Sequence, residues 1–193
     1  PNLVEDFLGQ VRVLDETRFR AMEPRGFPTT AVAYRRSALD RVGIFDPLME
    51  ASEDVDLAWR VQAYGGYLGV YVPDAIVYNK HRSKLSGMFH QFRRYGFSEI
   101  VLTTRFRHET FHRRTPTSQL LDMMRQLRAL GTYTLSFAIR VCRWRRWRSD
   151  HMYLAWPMLW FVLEGGNLLG KLQALIATRG FRRLAYSGRK MVQ

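Results

Sequence analysis

The chain has 193 residues, 47% of them hydrophobic, which is enough to bury a core and excludes global disorder. Its single cysteine, Cys142, excludes an intramolecular disulfide and a cysteine-based zinc site. The formal charge is +13, with most acids before Gly65 and arginine dominant from Arg82 to Lys190, so a polyanionic partner is expected: nucleic acid, a diphosphate ligand or an anionic membrane face.

The chain opens at Pro1 without Met and without a signal-peptide pattern, so its start reads as cut or processed, with something upstream absent. Residues 1–27 read as an exposed lead-in, helical from Leu3 to Phe19 and ending at the turn-prone Glu23-Pro24-Arg25-Gly26. Residues 28–100 alternate short strands and helices, within a unit taken to run from 28 to 115. Thr29 to Tyr34 is alternating and β-branched, a strand pattern. Ser37 with Asp40 three later suggests a capped short helix, stopped by Gly43. A second helix starts near Ser52 or Glu53, runs to Tyr64 and closes at Gly65-Gly66. Tyr67 to Val72 and Ala75 to Tyr78 read as two strand segments bent at Pro73-Asp74. From Ser86 the pattern turns helical. A boundary falls around Arg113 to Thr117, and residues 116–193 form a helical appendage. In it Gln119 to Val141 is amphipathic and weakened at Gly131, Arg143 to Arg148 is a basic and aromatic cluster, and Met152 to Gly170 is apolar apart from Glu164 and Asn167.

The sharpest chemical feature is Ser52-Glu53-Asp54-Val55-Asp56-Leu57-Ala58-Trp59-Arg60. A helix beginning here crowds three carboxylates into its first turn, where the helix dipole favours negative charge. Ordinary helix chemistry accounts for part of this, since Asp56 and Arg60 are an i,i+4 pair. The neighbours add weight: Ala33-Tyr34-Arg35-Arg36-Ser37-Ala38-Leu39-Asp40-Arg41-Val42-Gly43-Ile44-Phe45-Asp46 precedes it, and Tyr71-Val72-Pro73-Asp74-Ala75-Ile76-Val77-Tyr78 follows. In this order and spacing, the three stretches resemble the second half of family 2 glycosyltransferases, which have the GT-A fold. The likeness covers residues 28–100, about half of a typical domain of ~150 residues. It implies an α/β fold: the acceptor half of a GT-A domain, with mixed short strands and helices, followed by the all-helical appendage.

The resemblance also implies roles. The Asp of the family's Glu-Asp pair is the general base, which puts that role on Asp54; a carboxylate within hydrogen-bond reach of an acceptor hydroxyl contributes a factor of about 10²–10⁴ by taking its proton. Glu53 and Asp56 then organise the turn and hold Arg60. Gln91-Phe92-Arg93-Arg94-Tyr95 resembles the Gln-x-x-Arg-Trp motif of processive members, with Tyr for Trp, which argues against processivity. On a helix Gln91, Arg94 and Tyr95 share a face, so that Arg94 can pair with a departing diphosphate and Tyr95 can stack on an acceptor ring; a basic amphipathic helix docked on its domain explains the same pattern. Relatives carry His-x-His-Arg where this chain has Asn79-Lys80-His81-Arg82, and the first His can complete a divalent metal site. Asn79 can serve Mg²⁺ through its amide oxygen and Mn²⁺ less well, with His81 as substitute. The aspartate-rich motif that holds the metal, Mg or Mn, on the donor diphosphate lies upstream of the matched segment in the family. The chain is therefore expected to lack the donor-binding half and to turn over no donor alone.

Met152 to Gly170 approaches the length of about 20 apolar residues needed to cross a bilayer, but Glu164 to Asn167 interrupts it and basic residues flank both ends. That pattern suits a helix lying in the interface, with Trp156 and Trp160 at headgroup depth and Arg143 to Arg148 facing anionic lipid; a helical hairpin packed on the catalytic part is the plainer alternative. The expectation is an inverting, hexosyl-type transferase on the cytoplasmic face of a membrane, peripheral rather than spanning, using a nucleotide-sugar donor and an envelope polysaccharide or lipid-linked acceptor. Two other readings stand beside it: a basic module binding nucleic acid or anionic membrane, and an inactive transferase-like scaffold. Nucleic acid is the less favoured partner, because it leaves the Glu-Asp stretch without a purpose.

Overall fold

The computed structural model describes residues 2–13, 17, 19, 21, 24–47, 49, 51–111, 114–143 and 151–180. Its helices are α1 (Leu3–Gln10), α2 (Arg36–Val42), α3 (Glu53–Ala63), α4 (Leu85–Arg105), α5 (Pro116–Cys142) and α6 (His151–Ala177), with a 3-10 turn at Thr29–Ala31. Among the described residues there is no strand, so the expected mixed α/β, GT-A-like architecture is not what this chain forms. The physical reason lies in the difference between a strand pattern and a sheet. Alternating β-branched residues favour an extended backbone, but a strand needs a hydrogen-bonded neighbour and a buried face. Residues 66–83 run without helix or ladder, turn at Pro73-Asp74 through Ala75 N–H to Val72 C=O (3.1 Å), and leave the apolar side chains from Leu68 to Tyr78 exposed, Tyr78 being 94% exposed. Thr29–Ala31 forms the 3-10 turn instead of a strand.

The helix ends follow local chemistry. Asn2 caps α1: its side chain accepts from Val4 N–H (3.1 Å) and Glu5 N–H (3.0 Å), while Glu5 accepts from Asn2 N–H (3.0 Å). Thr115 and Ser118 form the same reciprocal pair at the start of α5, with Pro116 in the first turn. Gly43 ends α2 at φ 82°, a conformation that favours glycine. Ser37 does not cap α2, whose N-cap is Arg35; its hydroxyl instead accepts from Tyr67 OH (3.2 Å).

The lead-in is not an exposed one. α1 stops at Gln10, and Phe7 and Leu8 are fully buried with Met88 and Phe92 of α4 and Leu159 and Leu163 of α6. Trp156 and Trp160 belong to the same core. Both rings, partly buried, meet Phe7 edge-on, at 5.2 and 5.5 Å between centroids, and Trp160 stacks on Tyr133 at 6.0 Å, the packing that the helical-hairpin alternative expects. The rest of the basic cluster that begins at Arg143 lies outside the described residues.

α4 and α6 form the backbone of the bundle. Phe89, Arg93 and Ile100 of α4 meet Gly166, Gly170 and Ala174 of α6, so partner numbers rise together and the helices run parallel. The crossing is close enough that a Cβ on Gly170 collides with the Arg93 carbonyl, and one on Gly96 with the Asn167 carbonyl. α5 packs antiparallel to α6 through a polar seam: Gln126 Nε2 donates to Glu164 Oε2 (2.8 Å) and Asn167 Oδ1 (2.9 Å). α3 lies against the far end of α4, where Val55 and Trp59 pack on Leu102 and Phe106; its other face holds α2 through Ala38, Leu57 and Val61.

Candidate active site

The three carboxylates of the acidic turn have different surroundings. Ser52, just before α3, sits at φ 57°, ψ 20° and makes no side-chain cap. The left-handed region costs a non-glycine residue about 1–2 kcal/mol, so the neighbours must hold it there. In place of a serine cap, Asp54 takes a backbone N–H of the first turn. Its Oδ1 accepts from Val55 N–H (2.8 Å) and its Oδ2 accepts from Thr29 N–H of the 3-10 turn (3.2 Å). The Asp54 side chain is half-buried, as is Glu53, and no lysine or arginine pairs with it among the described residues.

Asp56, two residues on, is fully buried and takes both nearby guanidiniums. Its Oδ2 accepts from Arg60 Nε (2.8 Å) and lies 2.8 Å from Arg60 Nη2. Its Oδ1 lies 2.8 Å from Arg105 Nη1, close but off the hydrogen-bonding direction. Arg105 also holds Asp46 Oδ2 (3.1 Å), and Arg60 donates to the carbonyls of Val42 (2.7 Å) and Ile44 (2.9 Å). This network clamps the loop after α2 to α3 and to the end of α4. Burial pushes the Asp56 carboxyl above its ordinary value, with Arg105 and Arg60 pulling the other way.

Tyr34 completes the neighbourhood. Its hydroxyl is buried without a hydrogen-bond partner, and its pKa is pushed up to about 12, first by burial and then by the negative charge of Asp54, against the pull of Arg60.

The other residues singled out in the sequence do not join this cluster. Gln91 Nε2 donates to Tyr95 OH (2.9 Å), and the Tyr95 ring packs on the α1–α4–α6 core, edge-on to Phe92 at 5.6 Å. Arg94 is half-buried on the same helix. α3 touches α4 at Leu102 and Phe106, which puts Tyr95 about 10 Å back along the helix axis from that contact. Asn79 is exposed in the extended segment, while His81 lies against Gly9 of α1 and the Ser83 carbonyl accepts from Asn2 Nδ2 (2.7 Å). Among the described residues no group of three His, Cys, Asp or Glu comes together that could hold a metal ion. Sequence reasoning missed Arg105 and Thr29, which reach the acidic turn from 49 residues after Asp56 and 25 before Asp54, and no local periodicity could have flagged them.

A model of the glycosyl transferase family group 2 matches residues 8–169, and the chain belongs to that family. It is 40% identical over 78 residues to two proteins called pre-mycofactocin glycosyltransferase, from Mycobacterium tuberculosis strains CDC 1551 / Oshkosh and ATCC 25618 / H37Rv. Each match covers 40% of this chain and 16% of the relative, so the matched stretch spans about a sixth of those proteins. No solved structure gives a significant match.

Proposed function

We propose that this chain carries the general base of an inverting glycosyl transfer, and that the base is Asp54. The Asp54 carboxylate takes the proton of an acceptor hydroxyl. The hydroxyl oxygen bonds to the anomeric carbon of a nucleotide-sugar from the opposite face, and the nucleoside diphosphate departs with the electron pair of the broken bond. Arg94 is the cation proposed for the departing diphosphate. A Tyr95 ring packed in the core does not serve for stacking on an acceptor. Any divalent metal would draw most of its ligands from outside the described residues, with Asn79 or His81 proposed to complete the set, and no step above depends on it. The donor-binding half is proposed to belong to the rest of a longer protein. The acceptor is a lipid-linked or envelope saccharide, with the relatives' pre-mycofactocin as the other acceptor to try, and the site is proposed to work at the cytoplasmic face of a membrane, attached peripherally. Among the described residues no helix is long and apolar enough to cross one.

The observation that carries this reading is the division of labour in one helical turn. Arg60 and Arg105 are both engaged by Asp56, while Asp54 keeps its oxygens on backbone N–H groups alone. A carboxylate left out of an ion-pair network at a partly open helix start can accept a proton. The test is transfer of labelled sugar by the full-length protein, from a panel of uridine, guanosine and thymidine diphosphate sugars onto membrane lipid extract and onto pre-mycofactocin. Transfer with inversion supports the reading. Absence of transfer with every donor, alongside tight salt-sensitive binding of single-stranded oligonucleotide, would replace it with a basic binding module.

A further inference from the structure

We propose that the outward row of α5 is the surface that lies on anionic lipid, an inference that rests on the peripheral attachment proposed above and assigns it a place. Helical spacing divides α5 into two faces. Gln119, Met123, Gln126 and Tyr133 point inward, toward Thr103 of α4 and toward Glu164, Asn167 and Trp160 of α6. The opposite side carries Leu120, Met124, Leu127, Leu135, Ala138 and Cys142 at steps of three, four or eight residues, all of them exposed. Met124 and Leu135 are each 62% exposed, far more than an inward-facing apolar residue of a bundle. The row extends roughly 33 Å at 1.5 Å per residue, without a charge in it.

The charges beside the row favour lipid over a second copy of the chain. From Pro116 to Arg143 there are four arginines and one acid. Arg128 stands on one shoulder of the row, and Arg143 follows its end. The acid, Asp122, lies on the far side and already pairs with Arg125 (3.0 Å). Two such rows laid together would bring arginine shoulders into repulsion, whereas lipid phosphates would neutralise them. An apolar stripe with basic shoulders on a helix unable to span lies in the plane of the interface. The row also differs from the expectation built on Trp156 and Trp160, which are committed to the core.

Cys142 is the only cysteine of the chain, is exposed and ends the row, so it takes an environment-sensitive thiol-reactive dye without any substitution. The labelled chain is mixed with vesicles of phosphatidylglycerol in phosphatidylcholine and with vesicles of phosphatidylcholine alone. The expected result is a blue shift with the anionic vesicles only. The double variant Leu127→Gln/Leu135→Gln, at two exposed positions where folding is checked by circular dichroism, is expected to lower partitioning at least tenfold, about what withdrawing two leucines from lipid gives. If the wild-type chain ignores anionic vesicles, peripheral attachment itself fails. If it binds them while the dye stays in water and the double variant binds equally well, attachment stands and this row is the wrong surface. A wild-type dimer that the double variant converts to monomer would assign the row to a second copy and overturn the proposal.

Discussion

At the scale of single residues, neighbouring carboxylates owe their roles to what surrounds them. Asp56 is sealed between two guanidiniums, so removing one partner strands a buried charge. Arg60→Ala is expected to destabilise by about 3–5 kcal/mol, measured by urea denaturation, because it also releases the Val42 and Ile44 carbonyls. The Tyr34 hydroxyl offers the opposite case. Buried with no partner, it contributes nothing that Phe would lose, so Tyr34→Phe is expected to leave stability unchanged or raise it by up to about 1 kcal/mol. A large loss in the same assay would mean that the hydroxyl has a partner after all. The i,i+4 spacing of Asp56 and Arg60 was legible in the sequence, since it lies within one helical turn. Arg105 was not, because its contact with Asp56 exists only once α3 has packed on the end of α4.

At the scale of elements, helices were readable and sheets were not, for one reason. A helix closes its hydrogen bonds within its own segment, so the acidic turn at Glu53 and the tyrosine and glycines that follow Ala63 mark real ends. A strand depends on neighbours that a local pattern does not reveal, and Thr29 to Tyr34 and Tyr67 to Tyr78 have the pattern without the neighbours. The glycines of α6 also misled. Gly165 and Gly166 look like interruptions of an apolar run, yet Gly166 and Gly170 are where α4 comes closest. Two substitutions of the same kind should therefore act in opposite directions. Gly170→Ala drives a methyl into the Arg93 carbonyl and is expected to cost about 1–3 kcal/mol or more, despite the better helix propensity of alanine. Gly131→Ala, on the open side of α5 with nothing within 4 Å, is expected to gain about 0.5–1 kcal/mol. Thermal melting of the two variants side by side checks the parallel crossing directly.

At the scale of the whole molecule, the basic character is carried by helices that pack mainly through apolar contacts, and one lysine is drawn into that packing. Lys171 is 3% exposed, faces Glu99 Oε2 at 3.1 Å, and shares that carboxylate with Arg114. Burial, reinforced by Arg114, pulls its pKa down from 10.5 to about 8. In the window between those values the unfolded chain holds the proton and the folded one releases it, so this group makes stability rise with pH from about 8 toward 10.5, with its full penalty present below 8. Urea titrations at pH 7, 8, 9 and 10 should show Lys171→Met losing about 2 kcal/mol of that rise relative to wild type, with the tyrosines unchanged between the two proteins. The family assignment extends over most of the chain, whereas the identity to the mycobacterial proteins covers a small part of their length. The most direct measurement is the single-turnover rate of sugar transfer by full-length protein carrying Asp54→Asn, with donor and acceptor bound in advance. A fall of about 10²–10⁴ in that rate, with acceptor affinity and melting temperature close to wild type, is the expected result. A rate within a few-fold of wild type would contradict the account, because the proton would then be leaving the acceptor by another route.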